Sequence, residues 1–151
     1  MSQSLSKLFA HIIFHIKKSS CIIRTNDTKE LYAYKASCIK TSQSIPIVIN
    51  GVGDHIHILC VMSKNIALAK LVEDIKRNSS RWIKTKDLYY KNFAWQGGYA
   101  GFSVSSSTYD KTKLYIQNQE EHHKKLLFKD EYVLFLREYG VDYDEKYLWV
   151  E

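Results

Sequence analysis

Two apolar runs flank Asn50-Gly51, residues 46–49 and 52–62, and this pattern constrains the fold more than any other stretch of the chain. Asn-Gly between apolar runs is a strong hairpin signal, because both residues tolerate the positive φ of a tight turn. A central hairpin needs further strands to pair with, and the flanks supply them. Residues 8–16, dense in β-branched and aromatic side chains, read as a strand, followed by a turn at 17–20 and a short further strand at 21–24. Asn26 and Asp27 are placed to cap a helix beginning near Thr28, with Leu31, Ala33, Tyr34, Ala36, Cys38 and Ile39 as its apolar positions. Residues 65–84 read as an amphipathic helix that is basic on its outer side. Two strands, 93–96 and 99–104, are separated by Gly97-Gly98. The hydroxyls of residues 105–108 precede a long helix over about 109–126. A second helix, about 129–139, stops at Gly140, and the aromatic tail 141–151 is expected to pack down. The order predicts an α+β fold: a ferredoxin-like (RRM-like) antiparallel sheet with helices packed on one face, and a further C-terminal helix.

At 151 residues, with 45% hydrophobic side chains, one proline and no low-complexity tract, residues 1–151 read as a single domain without a linker. The formal charge of +6 suits a polyanionic partner, and equally suits a soluble basic protein. Eleven tyrosines and three tryptophans offer flat faces on which unpaired bases could stack, although most aromatic residues in any domain are core. Cys21, Cys38 and Cys60 are odd in number and lack C-x-x-C spacing, which argues against a disulfide framework and a cysteine zinc site. That usage fits a reducing cytoplasm. Residues 1–16 hold no long apolar run, and His11 and His15 interrupt the short one, so neither a signal peptide nor a membrane span is expected.

Chemistry concentrates in two places. On a strand through residues 54–59, His55 and His57 project to the same face while Ile56 and Ile58 face the core. Two imidazoles so placed can share one metal ion, and two half-exposed surface histidines would look the same. If residues 113–123 are helical, Tyr115 and Gln119 are neighbours at i and i+4. A glutamine oxygen can complete a metal site with two imidazoles, and a tyrosine beside it can attack a polarised phosphate. A tyrosine packed on the core beside a solvated glutamine is the plain alternative. His11 and His15 share a strand face and read as structural, unconnected to the metal; His122 and His123 read as solvated or interfacial.

Four segments in order carry a resemblance to a known family. Residues 53–59 resemble the HUH strand, 75–84 the basic helix, 93–105 the strand pair and 115–123 the catalytic helix of the single-tyrosine HUH transposases of the smallest bacterial insertion sequences. The resemblance runs from about Leu8 to Leu148. It implies a C-terminal catalytic helix carrying Tyr115 as nucleophile, with His55, His57 and Gln119 as ligands to Mg2+ or Mn2+. It further implies a homodimer that cuts and rejoins single-stranded DNA with hairpins at transposon ends through a 5′-phosphotyrosine, without a membrane. Lys76, Arg77, Arg81 and Lys84 are the expected phosphate contacts, and Glu73 and Asp74 among them also fit a solvated helix face. A domesticated hairpin-binding protein and a related HUH nickase are the alternatives. The nickases usually carry extra domains or a third histidine.

Overall fold

The computed structural model describes residues 2–150. Its elements run β1 (Leu8–His15), α1 (Thr25–Thr41), β2 (Ile45–Val52), β3 (His55–Met62), α2 (Leu68–Lys84), a single 3-10 turn (Leu88–Tyr90), β4 (Ala100–Val104), α3 (Tyr109–Gln117), α4 (Gln119–His122), α5 (Phe128–Glu138) and α6 (Glu145–Leu148). The four strands form one sheet in the order β2-β3-β1-β4, and every neighbouring pair is antiparallel. The βαββαβ order is that of the expected ferredoxin-like fold.

Strand alternation divides the core. Ile12 and Phe14 of β1 and Ile56, Ile58 and Cys60 of β3 face α1 and α2, meeting Leu31, Ile39, Leu71, Val72 and Ile75. The opposite face of β1 and β4 presents Ile13, Ala100 and Phe102 to α5, whose Phe128, Tyr132 and Leu136 close a second cluster. Near β2, Leu59 and Val104 meet Ile116 of α3 in a third. The two helices expected on one face are α1 and α2; the C-terminal helices cover the other. This second cover turns His55 and His57 from candidate surface residues into buried ones.

The hairpin turn lies later than the sequence suggests. Asn50 pairs with His57 and Gly51 with Ile56, so both are ladder residues, and the chain reverses at Gly53 and Asp54. Gly51 is needed for close approach rather than for turning, because a Cβ there would overlap the backbone carbonyl oxygen of His55. Asn50 reaches out of the strand to donate to the carbonyls of Ile116 and Gln117 at 3.0 and 3.1 Å. Those carbonyls lie at the end of α3, where the helical ladder runs out and an amide side chain can supply further donors.

Other boundaries also move. Residues 21–24 are not a strand, and α1 starts at Thr25, which puts Asp27 in its first turn, where it accepts from Tyr90. Residues 93–96 make only a single bridge, Ile16 to Trp95, and Trp95 is core, its indole donating to Ser79. The long helix expected to run on to about residue 126 breaks at Asn118, whose N–H still reaches the carbonyls of Leu114 and Tyr115. Gly140 does end α5: its φ is +64°, and the N–H groups of Gly140 and Val141 return to Arg137 and Leu136 in a Schellman arrangement. The tail packs down as expected, with Trp149 against His15, Phe128 and Tyr132.

One buried group works against stability. Lys35 of α1 is fully buried, and its Nζ has no hydrogen-bond partner among the described residues; it lies 3.8 Å from the Trp95 ring centroid and 4.5 Å from that of Phe14. Burial holds its pKa well below the ordinary 10.5. Between that lowered pKa and 10.5 the unfolded chain binds a proton that the folded chain does not, so Lys35 costs stability that is recovered as pH rises toward 10.5. Lys35→Met is expected to stabilise by about 1–3 kcal/mol at pH 7. Thermal unfolding checks this, and the gain should shrink between pH 7 and pH 10.

Candidate metal and nucleophile centre

The sheet face under α5 assembles the site. β3 holds His55 and His57 two residues apart, and both side chains are sealed from solvent. Each ring is backed at Nδ1: His55 meets Asp54 Oδ1 at 2.7 Å and His57 meets His11 Nε2 at 2.8 Å. Each Nε2 points to a common centre. His55 Nε2 lies 3.1 Å from Gln119 Oε1, and His57 Nε2 lies 2.8 Å from Glu131 Oε1.

Glu131 occupies that centre. It comes from α5, is 1% exposed, and has a partner at each oxygen. Oε1 faces His57 and, at 3.3 Å, His123; Oε2 accepts from the Tyr115 hydroxyl and, at 3.3 Å, from Gln119 Nε2. The helix break at Asn118 does not separate Tyr115 from Gln119, since both converge on this one carboxylate. Burial pushes the Glu131 pKa up, but the His57 and Tyr115 hydrogen bonds outweigh it and hold the group well below the usual carboxylate range. Burial brings His57 down to about 4 against the opposing pull of Glu131. The consistent state is a neutral imidazole donating to a carboxylate. Burial, followed by the Glu131 hydrogen bond, holds the Tyr115 phenol well above its ordinary 10.

The donor set fits a cation. With Nδ1 of His55 at Asp54, its Nε2 faces Gln119 Oε1, an oxygen that can accept a hydrogen bond or ligate a cation. The Asp54, Gln119 and Glu131 oxygens around the buried histidines are complementary to positive charge. Donor atoms of His55, His57, His123 and Glu131 all lie within 4.8 Å of one another, so this group could hold a metal ion.

Of the residues expected from sequence, His55, His57, Gln119 and Tyr115 come together. Glu131 was missed because an acid in an amphipathic helix carries no local signal. His123, expected to be solvated or interfacial, turns inward onto Gln119 and Glu131, while His122 stacks on the Tyr115 ring. His11, read as unconnected, hydrogen-bonds His57 directly. The H-x-x-x-H spacing on β1 put His11 on the same face as the HUH pair once the strands were in register, and that was the signal available.

The basic residues of α2 divide. Lys76 is half-buried and donates to the carbonyls of Gln96 and Gly98 at 2.7 and 2.6 Å, while Arg77 pairs with Glu73 and Asp74. Arg81 and Lys84 are exposed. Lys76, Arg77 and Lys84 line a groove with Lys17, Trp95 and Tyr99. The three cysteines are free, and no helix among the described residues is long and apolar enough to cross a membrane.

The fold is shared with solved structures. A candidate transposase from Deinococcus radiodurans is 19% identical with a TM-score of 0.60, over 79% of this chain and 98% of that one. A REP-associated tyrosine transposase bound to a REP hairpin is 12% identical with a TM-score of 0.60, over 83% and 76%. No curated protein sequence matches the chain. The model of the IS200-like transposases matches residues 4–119, a span that holds His55, His57, Tyr115 and Gln119 and stops short of α5. With three-quarters of its length matched, the chain belongs to the IS200-like transposase family.

Proposed function

We propose that this chain cleaves and rejoins single-stranded DNA at insertion-sequence ends, with Tyr115 as the nucleophile and a divalent cation on His55, His57 and Gln119. The observation that carries the reading is the convergence of the Tyr115 phenol and the Gln119 amide on the buried histidine pair of the same chain. Mg2+ or Mn2+ bound there would polarise a phosphate oxygen and offset the charge that builds up on it. Tyr115 Oη gives up its proton and forms the bond to phosphorus, the bond to the DNA 3′ oxygen breaks and that oxygen takes up a proton as a hydroxyl, and the enzyme keeps the 5′ phosphate. A later 3′ hydroxyl reverses the step on another strand, so no external energy source is consumed.

With α5 docked, Glu131 fills the place of the scissile phosphate. It is an oxyanion touching the tyrosine, the glutamine amide and a histidine, all groups that a phosphate oxygen would meet. It also keeps the phenol protonated. Cleavage then requires α5 to draw back. Its apolar anchors, Phe128, Tyr132 and Leu136, belong to the smaller cluster, so withdrawal leaves the main core beneath α1 and α2 intact. The groove beside α2 and the exposed Arg81 and Lys84 are the proposed track for the DNA backbone, with Lys76 and Arg77 at its wall. The hairpin bound by one fold relative supports a hairpin as the recognised element. The homodimer implied by the family resemblance belongs to the same reading.

The test is incubation with single-stranded DNA from the flanks of its own gene in Mg2+ or Mn2+. A protein–DNA band that survives denaturant is expected with single strands and not with duplex. Hairpin binding with no covalent species under any metal would favour a domesticated binding protein instead.

A further inference from the structure

We infer that His11 is a positioning residue that sets the tautomer of His57 and so makes its Nε2 available to a cation. The inference rests on the metal site proposed above and concerns a residue outside its ligand set.

His11 lies on β1 opposite Leu59, and His57 on β3 lies opposite Ile13, so the two histidines are diagonal neighbours on one sheet face. Their rings meet at 2.8 Å between His11 Nε2 and His57 Nδ1. The edge of Phe135, 5.1 Å between centroids, and Phe102 at 6.4 Å fix the His11 ring from the other sides. Both histidines are buried, at 1% and 0% exposure, so water cannot stand in for either partner. His55 differs here, because its own Nδ1 partner, Asp54, is half exposed.

The chemistry follows from the proton count on an imidazole. While His57 donates from Nε2 to Glu131, its Nδ1 is an acceptor and His11 must donate from Nε2. For His57 to give its Nε2 lone pair to a metal ion, the ring proton must sit on Nδ1, and that N–H then needs a buried acceptor. Among the described residues, His11 Nε2 is the atom in place to accept it. The proton of His11 moves to its own Nδ1, the hydrogen bond reverses direction, and the net charge is unchanged. An imidazole can make this reversal; a fixed donor such as lysine or a fixed acceptor such as a carboxylate cannot. A glutamine can, by turning its amide over.

The experiment is calorimetric titration of Mn2+ into the wild type, His11→Leu and His11→Gln. His11→Leu is expected to weaken binding about 10–100-fold, and His11→Gln to stay close to wild type. Nitrogen-15 imidazole spectra of the wild type with and without Mg2+ give a second readout that needs no variant: the His11 proton should move from Nε2 to Nδ1 when the ion binds. A wild type that binds no Mn2+ sinks the metal-site reading beneath this one. A wild type that binds while His11→Leu binds equally tightly overturns the inference about His11 alone. Equal weakening by both substitutions also overturns it, since packing rather than hydrogen bonding would then be responsible. Should His11→Leu not fold, a loaded wild type whose His11 proton stays on Nε2 is decisive against it.

Discussion

Tyr115→Phe is expected to reduce the covalent DNA adduct to an undetectable level while hairpin binding stays close to wild type. The substitution removes the one atom that would bond to phosphorus and keeps the ring that stacks on His122. A metal-bound water could still hydrolyse some phosphodiester, but no protein-linked product can form without the phenol. The fold should survive. Glu131 loses the Tyr115 donor and keeps His57, Gln119 and His123, so the cost is that of one hydrogen bond to a charged group, about 1.5–3 kcal/mol. Denaturing gels with end-labelled single strands read the adduct, and gel shift reads the binding. An adduct undiminished in this variant would remove Tyr115 from the mechanism.

His57→Ala is expected to lower metal-dependent cleavage by roughly a thousandfold, because about 4 kcal/mol of transition-state stabilisation depends on correct placement of the cation. A second effect accompanies it in the resting state. Glu131 loses its 2.8 Å partner while remaining buried, and the ring leaves a cavity between β1 and α5. Removing one partner of a buried polar pair destabilises by about 3–5 kcal/mol. The two losses can be separated by assaying well below the variant's unfolding temperature over a range of Mn2+ concentrations. Full cleavage activity in a folded His57→Ala protein would refute the ligand role of His57.

The legible part of this site was the part written in short-range spacing. His55 and His57 at i and i+2 share a strand face whatever the rest of the chain does, and Tyr115 and Gln119 at i and i+4 stay neighbours even across the break at Asn118. The hairpin was legible too, because two apolar runs had to pair. Its turn was misplaced because Asn50-Gly51 has the composition of a turn, whereas here Gly51 answers to the His55 carbonyl and Asn50 to the end of α3. Both of those partners are tertiary.

Glu131, His11 and His123 belong to the other class. Glu131 and His11 lie eight or more residues from every partner they have in the site, and His123, although four residues from Gln119, shares that local pattern with an ordinary surface histidine. Residue order and periodicity were enough to specify a βαββαβ sheet with two imidazoles on one face and a phenol–amide pair on a following helix. Which face is sealed, and which carboxylate enters it, depends on where α5 docks. That docking is decided by burial of Phe128, Tyr132 and Leu136 against Ile13, Ala100 and Phe102, a hydrophobic contact between segments distant in the chain. Once α5 lies there, a buried carboxylate has no stable place except among donors, and the histidines, the tyrosine and the glutamine are the donors within reach.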